Sequence, residues 1–128
     1  MKIKTLLFTM FVVCCSFVCV NASTIEIETL NAENITYYGA TLSGNISVGE
    51  GGVSSYGIEI WSDNTAATKN QVGKNNANGK FSATFYLLDN TTYSYRSYAK
   101  DTSSNYYYGD TKQFKTLERN IKNPPEIN

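Results

Sequence analysis

Hydrophobic and polar residues alternate along several stretches of the chain, and each alternating stretch predicts a β-strand. The most regular stretch covers residues 40–47, where the even positions are apolar or small and the odd positions are polar. Gly44 has no side chain to pack at its inward position, so we expect a bulge there or a close approach by a facing sheet. The same alternation predicts two further strands, at residues 24–28 and 56–61.

The longest patterned stretch is residues 81–117. Two alternating runs meet at the polar corner 89–91, and a third run follows the polar residues 101–105. This arrangement predicts a three-stranded antiparallel meander. In the first run, residues 81, 83, 85 and 87 are apolar and share one face of the strand.

Two segments lack a strong pattern. Residues 62–79 are rich in Asn, Thr, Lys and Gly, and little in them can be buried, so we expect one short edge strand within a mobile loop. Residues 118–128 are polar, contain Pro124 and Pro125, and predict a disordered or extended tail.

Leu87, Thr91 and Tyr93 form the pattern L-x-x-x-T-x-Y, and the runs A-T-L-S-G at 40–44 and Y-G-I at 56–58 accompany it. In these features the chain resembles the fibronectin type III family, in its divergent bacterial secreted form. The resemblance spans most of residues 23–117 and implies an all-β fold, an immunoglobulin-like antiparallel β-sandwich of about seven strands. Asp89 stands where that family usually has proline.

Tyr93 is the candidate for a tyrosine corner, with Leu87 and Thr91 as the other structural residues of the turn. A tyrosine just after a strand-to-strand corner can bury its ring at the edge of the sandwich while its hydroxyl bonds to an upstream backbone group. We expect that group to be a backbone acceptor.

The first residues predict a secretory signal peptide at 1–22. Lys2 and Lys4 precede an apolar run at 6–20, and Val20-Asn21-Ala22 offers a cleavage site before Ser23. The chain is then secreted or held at the cell surface, without stable membrane insertion after cleavage. Two alternatives remain open: a membrane anchor, although the run is shorter than the ~20 residues that span a bilayer, and a lipid attached to Cys19.

The residue types exclude several kinds of chemistry. The chain has no histidine, and its three cysteines all lie in the predicted signal peptide. A mature domain of this composition forms no disulfide and no Cys/His metal site, and it has no nucleophile activated by histidine. We therefore expect no catalytic residues, no metal and no cofactor, and an enzyme is disfavoured. Basic and acidic residues are nearly balanced, which gives no reason to expect nucleic acid as a partner.

Two aromatic residues are the candidate binding residues, Trp61 and Tyr107. Trp61 alternates with Ile58 and Ile60, which predicts a position on the outer face; the alternative is that it covers a sheet edge under the 62–79 loop. Among the three tyrosines at 106–108, alternation sends Tyr107 to the face opposite its neighbours. Tyr108 resembles a core position of the family, so we expect Tyr107 to be exposed.

The resemblance implies a secreted, non-catalytic binding or spacer module that mediates protein–protein interaction at a surface or in an extracellular assembly. The alternative is a carbohydrate-binding module that uses Trp61 and the tyrosines at 106–108. The partner, protein or glycan, is not specified by any motif in the chain.

Overall fold

The structure is a computed structural model that describes residues 24–49, 51–75 and 77–120. The predicted signal peptide, the cleavage point before Ser23 and the tail from residue 121 onward lie outside the described residues. Within them every regular element is a β-strand: β1 Ile25–Thr29, β2 Gly39–Val48, β3 Val53–Ser62, β4 Thr65–Lys74, β5 Gly79–Tyr86, β6 Thr92–Asp101, β7 Tyr106–Tyr108 and β8 Lys112–Lys115.

The strands form two antiparallel sheets. One has three strands in the order β1-β2-β5, and the other has five, in the order β4-β3-β6-β7 with β8 also paired to β6. Side chains from the facing surfaces of the two sheets meet in one core. The predicted fold class, an all-β immunoglobulin-like sandwich, is confirmed.

The count of eight strands agrees with the predicted seven once the last two are seen as halves of one strand. β7 pairs with residues 98–100 of β6, and β8 pairs with residues 92–95 of the same strand. Between the halves, the Gly109 N–H still donates to the carbonyl of Ser97 at 2.9 Å. The final strand is therefore a single line of pairing along β6, interrupted at residues 109–111.

The predicted three-stranded meander at 81–117 is wrong in one respect. β5 pairs with β2, whereas β6 pairs with β3, β7 and β8, so β5 and β6 belong to different sheets. Alternation predicts strands and faces but leaves the pairing partner open, because a two-residue period is the same in either sheet. The corner at 87–91 therefore carries the chain across the core.

The expectation of a mobile loop with one short strand at 62–79 is also wrong. β4 is a ten-residue strand that pairs with β3 from Ser62↔Thr65 to Ser55↔Lys74, with two register shifts. Most of its side chains are exposed, because it lies at the edge of its sheet, and the partly buried Val72 packs against the core. Backbone pairing with β3 maintains this strand without the apolar pattern that burial would require.

The core is made of alternating residues from both sheets, as the sequence patterns predict. Its buried members are Ala40, Leu42, Ile46, Val53, Ile58, Phe81, Tyr93, Tyr95, Ala99 and Phe114. The two core tyrosines of β6 contact Phe114, with ring centroids 5.9 and 5.7 Å apart. Tyr95 also donates its hydroxyl hydrogen to the carbonyl of Leu30 at 2.7 Å, so its polar end is satisfied while its ring is buried.

Candidate functional site

Most of the ion pairs and cation–π contacts among the described residues lie on the outward surface of the five-stranded sheet. Because Tyr93, Tyr95 and Ala99 of β6 point into the core, the residues between them point outward. Strand register then places outward residues of neighbouring strands side by side. We call the outer face the surface formed by Glu59, Trp61, Lys69, Lys74, Arg96, Tyr98, Lys100, Tyr106 and Tyr108.

Glu59 is the centre of an ion-pair network on this face. Its side chain is 7% exposed, and its two oxygens accept hydrogen bonds from Arg96 Nε at 2.7 Å and Lys69 Nζ at 3.1 Å. Burial by itself raises the pKa of Glu59, but the hydrogen bonds from Arg96 and Lys69 outweigh burial and bring that pKa below its ordinary value. The carboxylate is therefore charged and fixes the positions of both cations.

Arg96 is held on several sides. Its Nε donates to Glu59, and its guanidinium carbon lies 3.5 Å from the ring centroid of Tyr108 and 5.8 Å from that of Trp61. Among the described residues, no hydrogen bond is made by its two terminal nitrogens. Tyr108 is therefore the ring on which Arg96 stacks.

Tyr106 and Tyr108 lie side by side, with ring centroids 6.0 Å apart and ring planes 10° apart. Lys69 Nζ lies 4.7 Å from the ring centroid of Tyr106, and Lys100 Nζ lies 5.6 Å from it. Tyr98 is covered by this group and is only 3% exposed, although it faces away from the core. Burial raises the pKa of Tyr98. The cluster is thus a small second layer of aromatic and aliphatic side chains outside the sheet.

The predicted orientation of the three tyrosines is wrong. Tyr106 and Tyr108 are 43% and 37% exposed, whereas Tyr107 is half-buried. The register explains this result, since Tyr108 pairs with the outward Tyr98 and Tyr107 pairs with the core residue Ala99. Alternation sets which tyrosines share a face, but the pairing with β6 decides which face is inward.

Tyr107 has a structural contact at the β6–β7 turn. Its hydroxyl donates to Asp101 Oδ2 at 3.1 Å, and Asp101 Oδ1 accepts from the backbone N–H groups of Ser103 and Asn105, each at 2.8 Å. The backbone hydrogen bond from Asn105 is the main cause that lowers the pKa of Asp101, and the hydrogen bond to Asp101 raises the pKa of Tyr107. Tyr107 therefore helps to close the turn.

Trp61 lies on the outer face, as the alternation predicts, and is partly exposed. It borders a shallow depression of about 440 Å³ that is also lined by Glu59, Thr65, Ala66, Ala67, Arg96 and Thr111. The alternative position, under a loop at 62–79, does not apply because that segment is strand β4 and pairs alongside β3.

Tyr93 lies at the corner where the L-x-x-x-T-x-Y pattern places it. It is 5% exposed, and its hydroxyl accepts a hydrogen bond from the backbone N–H of Leu88 at 3.1 Å. The backbone group is therefore a donor, and the expected acceptor is wrong. Thr91 donates its hydroxyl hydrogen to the carbonyl of Asp89 at 2.7 Å, while half-buried Leu87 packs against the core.

The described residues contain no group of three or more His, Cys, Asp or Glu side chains arranged to hold a metal ion. Residues 24–49, 51–75 and 77–120 also include no helix that is long and apolar enough to cross a membrane.

The sequence indicated Trp61 and, for the carbohydrate-binding alternative, the tyrosines at 106–108, but it missed the ion-pair network of Glu59, Lys69 and Arg96. One signal for two of its members was present. Glu59 lies between Ile58 and Ile60, and Arg96 lies between Tyr95 and Ser97, so opposite charges occupy the outward positions of two strands. Only the pairing Glu59↔Arg96 shows that they are neighbours.

A comparison with protein-family models gives no match, and neither does a comparison with curated proteins. Solved structures of similar shape include a shorter and a longer version of the sensor domain of the anti-sigma factor RsgI4 from Pseudobacteroides cellulosolvens. The shorter is 24% identical with a TM-score of 0.59, covering 77% of this chain and all of that one. The longer is 23% identical with a TM-score of 0.59, covering 81% of this chain and all of that one.

A structure described as a myokine is 15% identical, with a TM-score of 0.51, and the match covers 71% of this chain and 97% of that one. At these identities the likeness concerns the fold.

Proposed function

We propose that this protein is a secreted, non-catalytic binding module of fibronectin type III type, and that it contacts a protein partner through the outer face. The observation that carries the proposal is the fixed position of Arg96, which lies between Glu59 and Tyr108 and beside Trp61. Secretion is supported by the predicted signal peptide at residues 1–22.

The composition of the outer face supports protein recognition. Tyrosine, tryptophan and arginine are the residue types that most often contribute the largest share of binding energy in protein interfaces. Here Trp61, Arg96 and Tyr108 are adjacent, and the ion pair with Glu59 already restricts the arginine. Binding through a side chain that is ordered beforehand costs less conformational entropy than binding through a free one.

The structural neighbours support a binding role at the level of their descriptions. Two of them are sensor domains of an anti-sigma factor. A spacer that only separates other domains needs no ordered aromatic and cationic surface, so the outer face favours the binding function over the spacer function.

A carbohydrate-binding module is the second candidate, because Tyr106 and Tyr108 are exposed and Trp61 borders a depression. Sugar rings stack on bare aromatic faces. On the outer face, Arg96 lies over Tyr108 and two lysines lie near Tyr106, so cations already cover a face of each ring. This arrangement favours a protein partner.

The proposed function is tested by affinity capture from the native cell surface, with residues 23–128 as bait. Three baits are compared: wild type, Trp61→Ala, and Thr84→Ala, which changes an exposed residue on the three-stranded sheet. We expect one set of proteins to be retained by wild type and Thr84→Ala and lost from Trp61→Ala, with all three baits melting at similar temperatures. Equal retention by all three baits would contradict the role of the outer face.

A glycan array distinguishes the second candidate. Binding of wild type to neutral glycans that is lost in Trp61→Ala would favour the carbohydrate-binding function, whereas a blank array together with specific protein capture supports the proposed one.

A further inference from the structure

We propose that the outer face recognises an acidic, extended peptide segment of the partner, with a carboxylate bound by the terminal nitrogens of Arg96 and a neighbouring apolar side chain placed beside Trp61. This inference rests on the proposed function, because it gives the chemistry of the partner for the same surface. It goes further by naming which atoms bind which group.

Arg96 has the geometry of a carboxylate receptor. A guanidinium presents five N–H donors in a planar fork, and two parallel bonds to one carboxylate are its strongest arrangement. Glu59 takes the Nε donor at 2.7 Å, and Tyr108 covers one face of the guanidinium at 3.5 Å. These two contacts fix the plane of the group and leave the Nη1 and Nη2 edge without a partner among the described residues.

The depression beside that edge suits an apolar side chain. Its wall on one side is Trp61, and on the β4 side it is lined by Thr65, Ala66 and Ala67, which present methyl groups. Trp61 lies one outward position from Glu59 on β3, a spacing of about 7 Å along the strand. Side chains two residues apart on an extended peptide have a similar spacing, so one can reach Arg96 while another enters the depression.

The charge of the surrounding surface favours an acidic ligand. Register places Lys74 and Lys100 in one row across Ser55, and Lys69 and Arg96 in another row across Glu59. These four cations share the face with Glu59, whose carboxylate is already paired. The whole chain has a formal net charge of zero, so this positive excess is a local property of the outer face.

The opposite surface of the molecule differs in charge. β1 exposes Glu26 and Glu28 on the outside of the three-stranded sheet, and Lys80 of β5 pairs with Glu33 at 3.9 Å. An acidic segment that approaches the protein is therefore attracted to the outer face and repelled by β1. Complementary charge of this kind raises association rates and selects the orientation of binding.

An acidic peptide is favoured over an anionic polysaccharide by Trp61, Ala66 and Ala67, the apolar part of the lining next to Arg96. A uronic acid chain places hydroxyl groups beside each carboxylate, and these gain no apolar contact from Trp61 or from the methyl groups of Ala66 and Ala67. A peptide can place a leucine or phenylalanine there. The polysaccharide is accordingly one of the outcomes that the test separates.

The test selects ligands for residues 23–128 from a phage-displayed library of random peptides. We expect the selected peptides to share an Asp or Glu with an apolar residue two positions away. Trp61 is the single tryptophan of the chain, so its fluorescence reports binding of a synthetic copy of a selected peptide. Affinity should fall about tenfold or more in Arg96→Ala, and it should fall with added salt.

Two further variants keep the result interpretable if Arg96→Ala is poorly folded. Lys100→Glu reverses a charge on the same face without breaking the ion pairs of Glu59, and it should also weaken the peptide several-fold. Lys80→Ala, on the other sheet, should bind as wild type does. Far-ultraviolet circular dichroism and melting temperature identify any variant that is misfolded.

The inference is overturned if the selected peptides lack acidic residues, if Lys100→Glu binds them as wild type does, or if no peptide is selected. It is equally overturned if polygalacturonate binds to the outer face and displaces the selected peptide at a concentration lower than that of the peptide. The broader function can survive these failures, because native proteins captured by wild type and lost from Trp61→Ala would still support a protein-binding module with a different ligand chemistry.

Discussion

Gly44 of β2 lies directly against Ser97 of β6, across the core from one sheet to the other. A side-chain carbon at Gly44 would overlap the hydroxyl oxygen of Ser97 and lie 2.6 Å from the ring of Phe81. The expected close approach of a facing sheet at Gly44 is therefore confirmed. In the same region Thr29 of β1 accepts the backbone N–H of Ser97 at its hydroxyl, 2.9 Å away, so the sheets are also tied by a buried hydrogen bond.

Gly44→Ala should destabilise the protein by about 1–3 kcal/mol, because a methyl group has to displace Ser97 or Phe81 in a packed core. Ser97→Ala should change stability little, since the Ser97 hydroxyl has no hydrogen-bond partner among the described residues. Urea unfolding of the two single variants and the double variant measures both effects. The double variant need not recover the lost stability, because the added methyl group would still meet the ring of Phe81. Equal stability of Gly44→Ala and wild type would contradict the close contact.

Tyr93→Phe should destabilise by about 1 kcal/mol, because the backbone N–H of Leu88 loses its acceptor. Tyr93→Ala should cost about 3–5 kcal/mol through the cavity that it leaves beside Phe114. Tyr86→Phe, at a ring that is 81% exposed, is the matched control and should be neutral. Identical urea midpoints for Tyr93→Phe and wild type would show that the hydroxyl does not stabilise the corner.

Glu59→Gln should lower stability at neutral pH by roughly 1–2 kcal/mol, because two charge-assisted hydrogen bonds weaken while both cations are about a third exposed to solvent. The pKa of Glu59 is lower in the folded protein than its ordinary value of 4.5. Its contribution to stability is thus present above pH 4.5 and is lost as the pH falls through the lower folded value.

The measurement is the free energy of unfolding as a function of pH for wild type, Glu59→Gln and the exposed control Glu26→Gln. The difference between wild type and Glu59→Gln should shrink below pH 4.5. Asp101 also has a lowered pKa, but it is present in all three proteins, so the difference isolates Glu59. A difference that stays constant down to the acid transition would contradict the ion-pair account.

Tyr108→Ala should weaken partner binding by about tenfold, since Arg96 loses the ring on which it stacks. Tyr107→Phe should leave binding unchanged and lower the urea midpoint slightly, through loss of the hydrogen bond to Asp101. Binding to a captured partner and urea unfolding together separate the two roles. The reverse result, with weaker binding in Tyr107→Phe and normal binding in Tyr108→Ala, would restore Tyr107 as the contact residue.

Ser23 should be the first residue of the exported protein, because Val20-Asn21-Ala22 offers small residues at the cleavage positions. The intact mass of the secreted protein checks this prediction. A mass that retains the apolar run, or one that includes a diacylglycerol on Cys19, would instead indicate one of the two membrane-attached alternatives.

The sequence predicted strands well where one face is buried. Alternation over 40–47 and 56–61 follows directly from the core residues Leu42, Ile46 and Ile58, which pack from opposite sheets. β4 could not be predicted in this way, because an edge strand is maintained by backbone hydrogen bonds that leave no apolar period in the sequence.

The outer face was predictable only in part, for a different reason. Three consecutive tyrosines have the same hydrophobicity, so nothing local tells which of them turns inward. The choice depends on the register with β6, where Tyr108 lies opposite Tyr98. Likewise, the network of Glu59 with Lys69 and Arg96 joins residues that are 10 and 37 positions apart, and only the strand pairing brings them together.

The interruption of the last strand at residues 109–111 has a mechanical consequence. β8 pairs with β6 at four positions and β7 at three, with a gap between the two sets. A pulling force applied beyond residue 117 would load the hydrogen bonds of Leu117 with Thr36 and Asn90 first and the β8 pairs next. Their rupture would lengthen the chain while β7 and the Arg96–Tyr108 contact stayed in place. The domain could then absorb tension at its carboxyl-terminal side without releasing what its outer face holds.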